Sequence, residues 1–204
     1  MKELNILIAG VGGQGNILTS RILANVAISK GERVRIGETY GASQRGGGVL
    51  SHVRIGSEVF GPLISFGKGD VILGFEPMEC VRQAVIYLKK DGLILCNTRK
   101  LLPIEVISGM MEYPEMDFLW KTLRKISKNT YLFDATELAE KAGDSITLNM
   151  VMLGALQASG NFPFEKKDML MEIRNSLKKK IEVNERAFEL GFKEFLKLRG
   201  NEKP

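Results

Sequence analysis

Short apolar runs alternate along this chain with longer segments in which apolar residues recur every three or four positions. Such short runs are typical of buried strands, and the longer segments are typical of helices that pack one face on a sheet. The pattern predicts strands at 4–9, 32–38, 70–75, 92–97 and 130–134, and helices at 16–27, 77–89 and 115–127. Strands and helices in this order predict an α/β fold in three layers, α/β/α, with a mostly parallel sheet.

One region breaks this alternation. Residues 49–55 alternate apolar and polar side chains, Gly56 and Ser57 suit a turn, and 58–60 suit a return strand. We therefore expect a hairpin of 49–55 with 58–60, which makes the sheet mixed rather than purely parallel.

The chain becomes helical beyond the last predicted strand. Residues 145–159 are apolar on most sides, and 165–199 carry apolar residues near helical spacing. We expect these C-terminal helices, about 145–199, to pack on the rest of a single domain that spans 1–204.

A glycine-rich loop follows the first predicted strand directly. Gly10-Val11-Gly12-Gly13-Gln14-Gly15 is a G-x-G-x-x-G pattern between a strand and a helix, which predicts a Rossmann-like start. Backbone N–H groups at such a turn suit a phosphate, a carboxylate or a closely packed backbone. The candidate residues are Gly10, Gly12, Gly13, Gln14 and Gly15. A tight strand–helix connection without a ligand is an equal alternative.

A second glycine-rich segment follows the second predicted strand, and its lack of periodicity predicts a loop. Glu38 follows Gly15 at about the distance of the acid that binds the ribose in a Rossmann site, but the expected hairpin interrupts the β-α-β succession of such a site. Arg45 offers a planar donor fork to an anion, or could anchor the loop to a local carboxylate. The candidates for a shared site are Glu38, Tyr40, Gly41, Ser43, Gln44, Arg45, Gly46, Gly47 and Gly48.

Two further side chains are candidates for the site, and for both we favour a structural role. His52 lies on an alternating strand, where a histidine is more often a satisfied structural residue than a proton shuttle. Glu76 precedes Pro77 and is expected where a strand ends and a helix begins, a position at which an acid favours the helix dipole. No catalytic residue and no metal site is predicted.

The cysteine and histidine content limits the chemistry that this chain can perform alone. Its two cysteines, Cys80 and Cys96, lie in apolar runs and are expected to be buried. An iron–sulfur cluster usually takes four thiolates, so the chain cannot hold one unaided. Because His52 is the only histidine, a histidine-based zinc site within this chain is also excluded.

Composition points to an ordinary globular protein. The 204 residues are 44% hydrophobic and 26% charged, and no apolar run approaches the roughly 18 residues of a membrane span, so no membrane partner is expected. The net charge is +5, but basic and acidic residues are interleaved, which argues against a nucleic-acid partner. The first residues lead into a strand rather than a signal-peptide core, so we expect a cytoplasmic location.

Several motifs together resemble the gamma-type subunit of 2-oxoacid:ferredoxin oxidoreductases. They lie at 10–15, 38–48, 51–54, 74–77 and 149–154. Within this family the resemblance is greatest to the small (beta) subunits that act on indolepyruvate. The resemblance spans nearly the whole chain, and the combination of the two glycine-rich segments is more specific than either alone.

The resemblance implies a complex that oxidatively decarboxylates an arylpyruvate to an acyl-CoA and passes electrons to ferredoxin. It places thiamine diphosphate, magnesium and iron–sulfur clusters in a large partner subunit, with coenzyme A as co-substrate, so this chain alone would be inactive. The loop at 10–15 and the segment at 40–48 would then face the partner or coenzyme A. Open alternatives are a gamma subunit for pyruvate, 2-oxoglutarate or 2-oxoisovalerate, and a free-standing nucleotide-binding Rossmann-like protein.

Overall fold

The computed structural model describes residues 1–40 and 46–201, with the side chains of Tyr40 and Glu105 left aside. The strands are β1 Leu4–Val11, β2 Val34–Tyr40, β3 Gly48–Ile55, β4 Gly69–Gly74, β5 Leu88–Asn97 and β6 Thr130–Phe133. The helices are α1 Asn16–Ser29, α2 Pro77–Tyr87, α3 Ile104–Ile107, α4 Met116–Ile126, α5 Ala135–Ala142, α6 Leu148–Ser159, α7 Lys166–Ser176 and α8 Ile181–Asn201. A 3₁₀ turn, Ser145–Thr147, precedes α6.

The strands form one mixed sheet in the order β2-β3-β1-β4-β5-β6. Strands β1, β4, β5 and β6 run parallel, whereas β3 is antiparallel to both β1 and β2. Helices α1 and α5–α8 cover one face of the sheet, and α2 and α4 cover the other. The predicted α/β class, the three layers and the mixed sheet are therefore confirmed.

The predicted hairpin of 49–55 with 58–60 is wrong in its second strand. The partner of β3 is β2, with Val34 opposite Ile55, and β1 pairs along the other edge of β3. Because both edges of β3 are occupied, residues 58–60 have no strand to join, and the chain from 56 to 68 crosses back to β4 instead. The connection between β2 and β3 is thus the second glycine-rich segment.

The C-terminal region consists of separate helices rather than a continuous helical stretch. Between α7 and α8 the chain leaves the helix, and Lys180 adopts a positive φ of 55°. Helices α6 and α8 then pack backbone to backbone. A Cβ atom on Gly154 would lie 1.9 Å from the carbonyl oxygen of Phe188, and one on Gly191 would lie 1.9 Å from that of Val151. Two glycines therefore set the closeness of this helix pair.

Candidate functional site

The glycine loop connects β1 to α1 as predicted, and two of its glycines make room for parts of this same chain. A Cβ atom on Gly10 would lie 2.8 Å from Gln14 Oε1, and one on Gly15 would lie 2.7 Å from Asn149 Nδ2. Gly15 also has a φ of 88°, which favours glycine. The close approach predicted for these glycines is thus made by Gln14 and Asn149.

Gln14 holds the loop to the neighbouring strand. Its Oε1 accepts the N–H of Val11 at 2.8 Å, and its Nε2 donates to the carbonyl oxygen of Phe75 at 3.0 Å. The same carbonyl accepts Asn97 Nδ2 at 3.0 Å, while Asn97 Oδ1 accepts the N–H of Ala135 at 3.0 Å. These two amides join the carboxyl ends of β1, β4 and β5 to the start of α5.

Gly13 differs from its neighbours because it faces open space. Its φ is 108° and no atom lies within 4 Å of where a Cβ would stand. The N–H of Gly12 is used by the carbonyl of Gly47 at 2.9 Å, but among the described residues the N–H of Gly13 has no acceptor. Helix α1 also lacks a side-chain cap and an acid in its first turn. An anion beside Gly13 would meet free donors and the positive end of a helix.

A cleft of about 570 Å³ opens beside Gly13 at the carboxyl ends of the strands. Its lining consists of Gly12, Gly13, Gln14, Asn97, Arg99, Lys100, Leu101, Thr136, Asp144, Ser145, Ile146 and Leu148. This position is where open α/β sheets usually bind their ligands. A second hollow of about 390 Å³ lies on the other side of Gly13 and Ile146, next to Lys179 and Lys180.

The cations around the cleft differ in how they are held. The Arg99 guanidinium donates from Nη2 to Asp134 Oδ2 at 2.9 Å, and Lys180 Nζ lies 2.7 Å from Asp144 Oδ2. Lys100 Nζ lies 4.8 Å from the centre of the Tyr113 ring, a cation–π distance. Among the described residues Lys100 has no carboxylate within ion-pair distance, so it is the cation most available to an anionic ligand.

The second glycine-rich segment is described only in part. Gly41, Ser43, Gln44 and Arg45 lie outside the described residues, and Tyr40 is described as the end of β2. The carbonyl of Gly46 accepts the N–H of Ile104 at 2.8 Å. A Cβ atom on Gly48 would lie 2.6 Å from Glu79 Oε2, so the start of β3 packs on the Glu79 carboxylate.

Glu38 is held by side chains of the chain itself. Its carboxylate accepts hydrogen bonds from Ser20 at 2.8 Å and from Ser51. Strand β2 is separated from β1 by β3, whereas the ribose-binding acid of a Rossmann site follows a strand that lies beside the first. This placement of Glu38 does not match the dinucleotide arrangement.

His52 and Glu76 both lie in the layer between the sheet and α2, and neither lines the cleft. His52 is fully buried, and its Nδ1 accepts the N–H of Ile64 at 3.3 Å. Burial lowers the pKa of His52 to about 4, so the ring is neutral near pH 7. The imidazole therefore contributes packing in the neutral form.

Glu76 begins α2 and is fully buried. Its Oε2 accepts the N–H of Glu79 at 2.9 Å, which caps the helix as the sequence suggests. Its Oε1 accepts the Tyr113 hydroxyl at 2.5 Å. Burial raises the pKa of Glu76, and the hydrogen bond from Tyr113 opposes that rise. Tyr113 was not a sequence candidate, because it stands in an irregular segment without periodicity.

The thiols are placed as the sequence predicts. Cys80 and Cys96 are both fully buried, and burial raises the pKa of the Cys96 thiol. Within 1–40 and 46–201, no group of three or more His, Cys, Asp or Glu side chains is placed to hold a metal ion. None of the helices in the described part of the chain has the length and apolar character needed to cross a bilayer.

Sequence reasoning found Gly13 and Gln14 but missed the opposite wall of the cleft, formed by Asn97, Arg99 and Lys100. Asn97 ends the predicted strand at 92–97, and Arg99 and Lys100 follow it. Because the carboxyl ends of parallel strands lie at one edge of a sheet, this position was the signal that could have identified the three residues.

Comparison with known proteins places this geometry in a family. The sequence profile of the family described as pyruvate ferredoxin/flavodoxin oxidoreductase matches residues 5–194. The chain is 44% identical over 195 residues to Indolepyruvate oxidoreductase subunit IorB of Thermococcus kodakarensis, with 95% of this chain and 96% of the relative covered.

Solved structures share the fold. A keto/oxoacid ferredoxin oxidoreductase gamma subunit from Geobacter sulfurreducens superposes with a TM-score of 0.68 at 26% identity, covering 95% of this chain and 99% of that chain. A 2-oxoglutarate:ferredoxin oxidoreductase from Magnetococcus marinus gives a TM-score of 0.67 at 20% identity, covering 97% of this chain but 32% of that chain. The chain therefore belongs to the pyruvate ferredoxin/flavodoxin oxidoreductase family, among its gamma-type subunits.

Proposed function

We propose that this chain is the small subunit of an indolepyruvate ferredoxin oxidoreductase, and that its cleft holds an anionic part of coenzyme A. The 44% identity to an indolepyruvate oxidoreductase subunit supports the substrate class. The observation that carries the role of the cleft is the position of Gly13, an open glycine at an uncapped helix start, opposite Lys100. A large subunit would supply the reacting groups and pass electrons to ferredoxin.

The residues of this chain agree with a role in which the large subunit supplies the reacting groups. The two cysteines of the chain are buried in the apolar cluster on the α2 side of the sheet, so they do not fit an iron–sulfur cluster. Among the described residues that line the cleft, Asp144 is the only carboxylate and is paired with Lys180, so they do not form a cluster suited to the magnesium of thiamine diphosphate. We therefore assign thiamine diphosphate, magnesium and the iron–sulfur clusters to the partner subunit.

The cleft does fit a phosphate. Free N–H groups at a helix start bind phosphate without any special side chain, and Lys100 adds a positive charge on the opposite wall. Ile146 and Leu101 line the same space with apolar atoms, which would exclude water around a bound pantetheine or adenine group. In this role the chain binds and orients the co-substrate and leaves the chemistry to the partner. Arg45 and the segment at 40–48 are proposed to face the same partner. The Gly47 carbonyl of this segment accepts the N–H of Gly12, which lines the cleft.

The test is Lys100→Ala in the assembled complex. We expect the KM for coenzyme A to rise about tenfold, equivalent to about 1.4 kcal/mol of lost binding, while the KM for the 2-oxoacid stays unchanged. Lys90→Ala is the matched control, because Lys90 is an exposed lysine on β5 outside the cleft. An unchanged KM for coenzyme A in Lys100→Ala would contradict the binding role.

A second candidate role is assembly alone. The use of Val11, Gly12 and Gln14 N–H groups within the chain favours it, because these donors are already occupied. If Lys100→Ala and Gly13→Ala change only the yield of complex and not its kinetics, the assembly role is the correct one. Turnover of the complex with indolepyruvate, pyruvate, 2-oxoglutarate and 2-oxoisovalerate would separately test the substrate.

A further inference from the structure

The connection between β5 and α4, residues 98–115, is long and has the wrong composition for a solvated loop. It contains a single short helix, α3. Connections longer than about 12–15 residues are uncommon in compact domains and usually have a function. Six of the eleven residues from 101 to 111 are large apolar side chains exposed to solvent: Leu101, Leu102, Ile104, Ile107, Met110 and Met111. Apolar exposure concentrated in this way marks an interaction surface.

The 98–115 segment is fixed to the domain at several points. The N–H of Ile104 donates to Gly46 at 2.8 Å, and the Tyr113 hydroxyl donates to the buried Glu76 at 2.5 Å. Arg82 Nη2 lies 3.7 Å from Met111 Sδ, and Pro103 is buried. The exposed side chains are therefore presented on an anchored backbone, which lowers the entropy that a partner must remove on binding.

The position of the segment indicates its partner. Leu101 lines the cleft beside Lys100, so the apolar surface is continuous with the site where the co-substrate is proposed to bind. Whatever brings reacting groups to that cleft must cover the adjoining surface. In the Magnetococcus marinus enzyme the same fold accounts for 32% of its chain, so there it is joined to a larger body. Methionines such as Met110 and Met111 adapt their shape to a partner surface.

We propose that the 98–115 segment docks into an apolar surface of the large subunit that carries the thiamine diphosphate and iron–sulfur groups. This proposal rests on the proposed function, which supplies that subunit. Ile107 and Met110, 70% and 83% exposed, are the central contacts. Burying two such side chains removes apolar area from water and gives the contact its stability. The large subunit closes over the segment and the cleft together.

The experiment compares two charged variants of the full chain. The double variant Ile107→Glu/Met110→Glu is titrated against purified large subunit loaded with its cofactors, and the Kd is measured by calorimetry. We expect binding at least 100-fold weaker than wild type with an unchanged melting temperature. The control is Val85→Glu on α2, where Val85 is 62% exposed outside the 98–115 segment. We expect its Kd within threefold of wild type.

Each other result has a defined meaning. Double-variant binding within threefold of wild type overturns the docking surface. A different result would be a wild-type chain that forms a homodimer, and a double variant that is a monomer but binds the large subunit as tightly as wild type. In that case the 98–115 segment binds a second copy of this chain, and the proposal is also overturned. Wild-type chain that binds no large subunit overturns the proposed function together with this inference. If the double variant melts early, Met110→Glu alone is measured, with an expected loss of at least tenfold.

Discussion

The two faces of the sheet are built differently. On the face covered by α1 and α5–α8, the core is a broad apolar cluster, and α6 and α8 touch through their backbones. On the face covered by α2 and α4, the apolar cluster is smaller, and two fully buried ionisable groups, His52 and Glu76, lie beside it. Two irregular stretches, 56–68 and 98–115, complete this second face. The first face thus has an apolar core closed by backbone contact between two helices, while the second face combines a smaller core with the exposed apolar residues of 98–115.

Among the predicted changes, the largest effect is expected from Gly191→Ala on the first face. A Cβ there would lie 1.9 Å from the carbonyl oxygen of Val151, so α8 must move away from α6. We expect a loss of about 3 kcal/mol or more in the free energy of unfolding, at the upper end for overpacked cores. Chemical denaturation measures it. Gly200→Ala, also in α8 but with nothing near its Cβ position, should be neutral or stabilising. Equal losses in both variants would contradict the close packing of α8 on α6 that sets the first face apart from the second.

Because of the second face, the free energy of unfolding should depend on pH. Burial lowers the pKa of His52 from 6.5 to about 4. Between these pH values the unfolded chain therefore binds a proton at His52 that the folded chain does not bind. Stability is therefore full above about pH 6.5 and falls as pH drops to 4, by about 2–3 kcal/mol from this group. Denaturation curves for wild type and His52→Gln across this range isolate the effect, because the variant keeps every other titrating group.

Nuclear magnetic resonance offers an independent check, since His52 is the sole histidine of the sequence. Its ring signals should remain those of the neutral form down to about pH 5. If the His52 ring of the folded protein titrated near pH 6.5, the imidazole would be solvated. His52 would then not be a buried ionisable group of the second face.

The smallest effect is expected from Tyr113→Phe. This change removes the hydroxyl that donates to buried Glu76, and we expect a cost of about 1–2 kcal/mol in the free energy of unfolding. Amide hydrogen exchange near Tyr113 should quicken as well, because one of the contacts that fix the 98–115 segment is lost. Tyr87→Phe is the matched control, since the Tyr87 hydroxyl has no hydrogen-bond partner among the described residues. A larger loss in Tyr87→Phe would locate the anchor elsewhere.

The sequence predicted local features more successfully than pairings between distant segments. The order of β1, the glycine loop and α1 follows from periodicity and glycine spacing, and the cap role of Glu76 follows from its position before Pro77. The partner of β3 could not be predicted in the same way. It depends on β1 occupying the other edge of β3, a contact between residues about 50 positions apart that leaves no local pattern.

The cleft also combines residues that are close together in the sequence with residues that are far apart. Gly13 was found because its motif is contiguous, whereas Lys100 and Asn97 join it only when β5 lies next to β4. Glu38 illustrates the opposite case, since its spacing from Gly15 suggested a ribose contact that the insertion of β3 rules out geometrically. Sequence spacing predicts a site only when the sheet order between the spaced residues is known.

The shared carbonyl of Phe75 has a consequence for the rigidity of the cleft. Two side-chain amides, from Gln14 and Asn97, are locked on this single oxygen, so neither can rotate to suit an arriving group. Both amides line the cleft and are thus preorganised, so their dipoles would need no rearrangement on binding. A bound coenzyme A fragment, as proposed, would therefore meet polar atoms in a fixed arrangement.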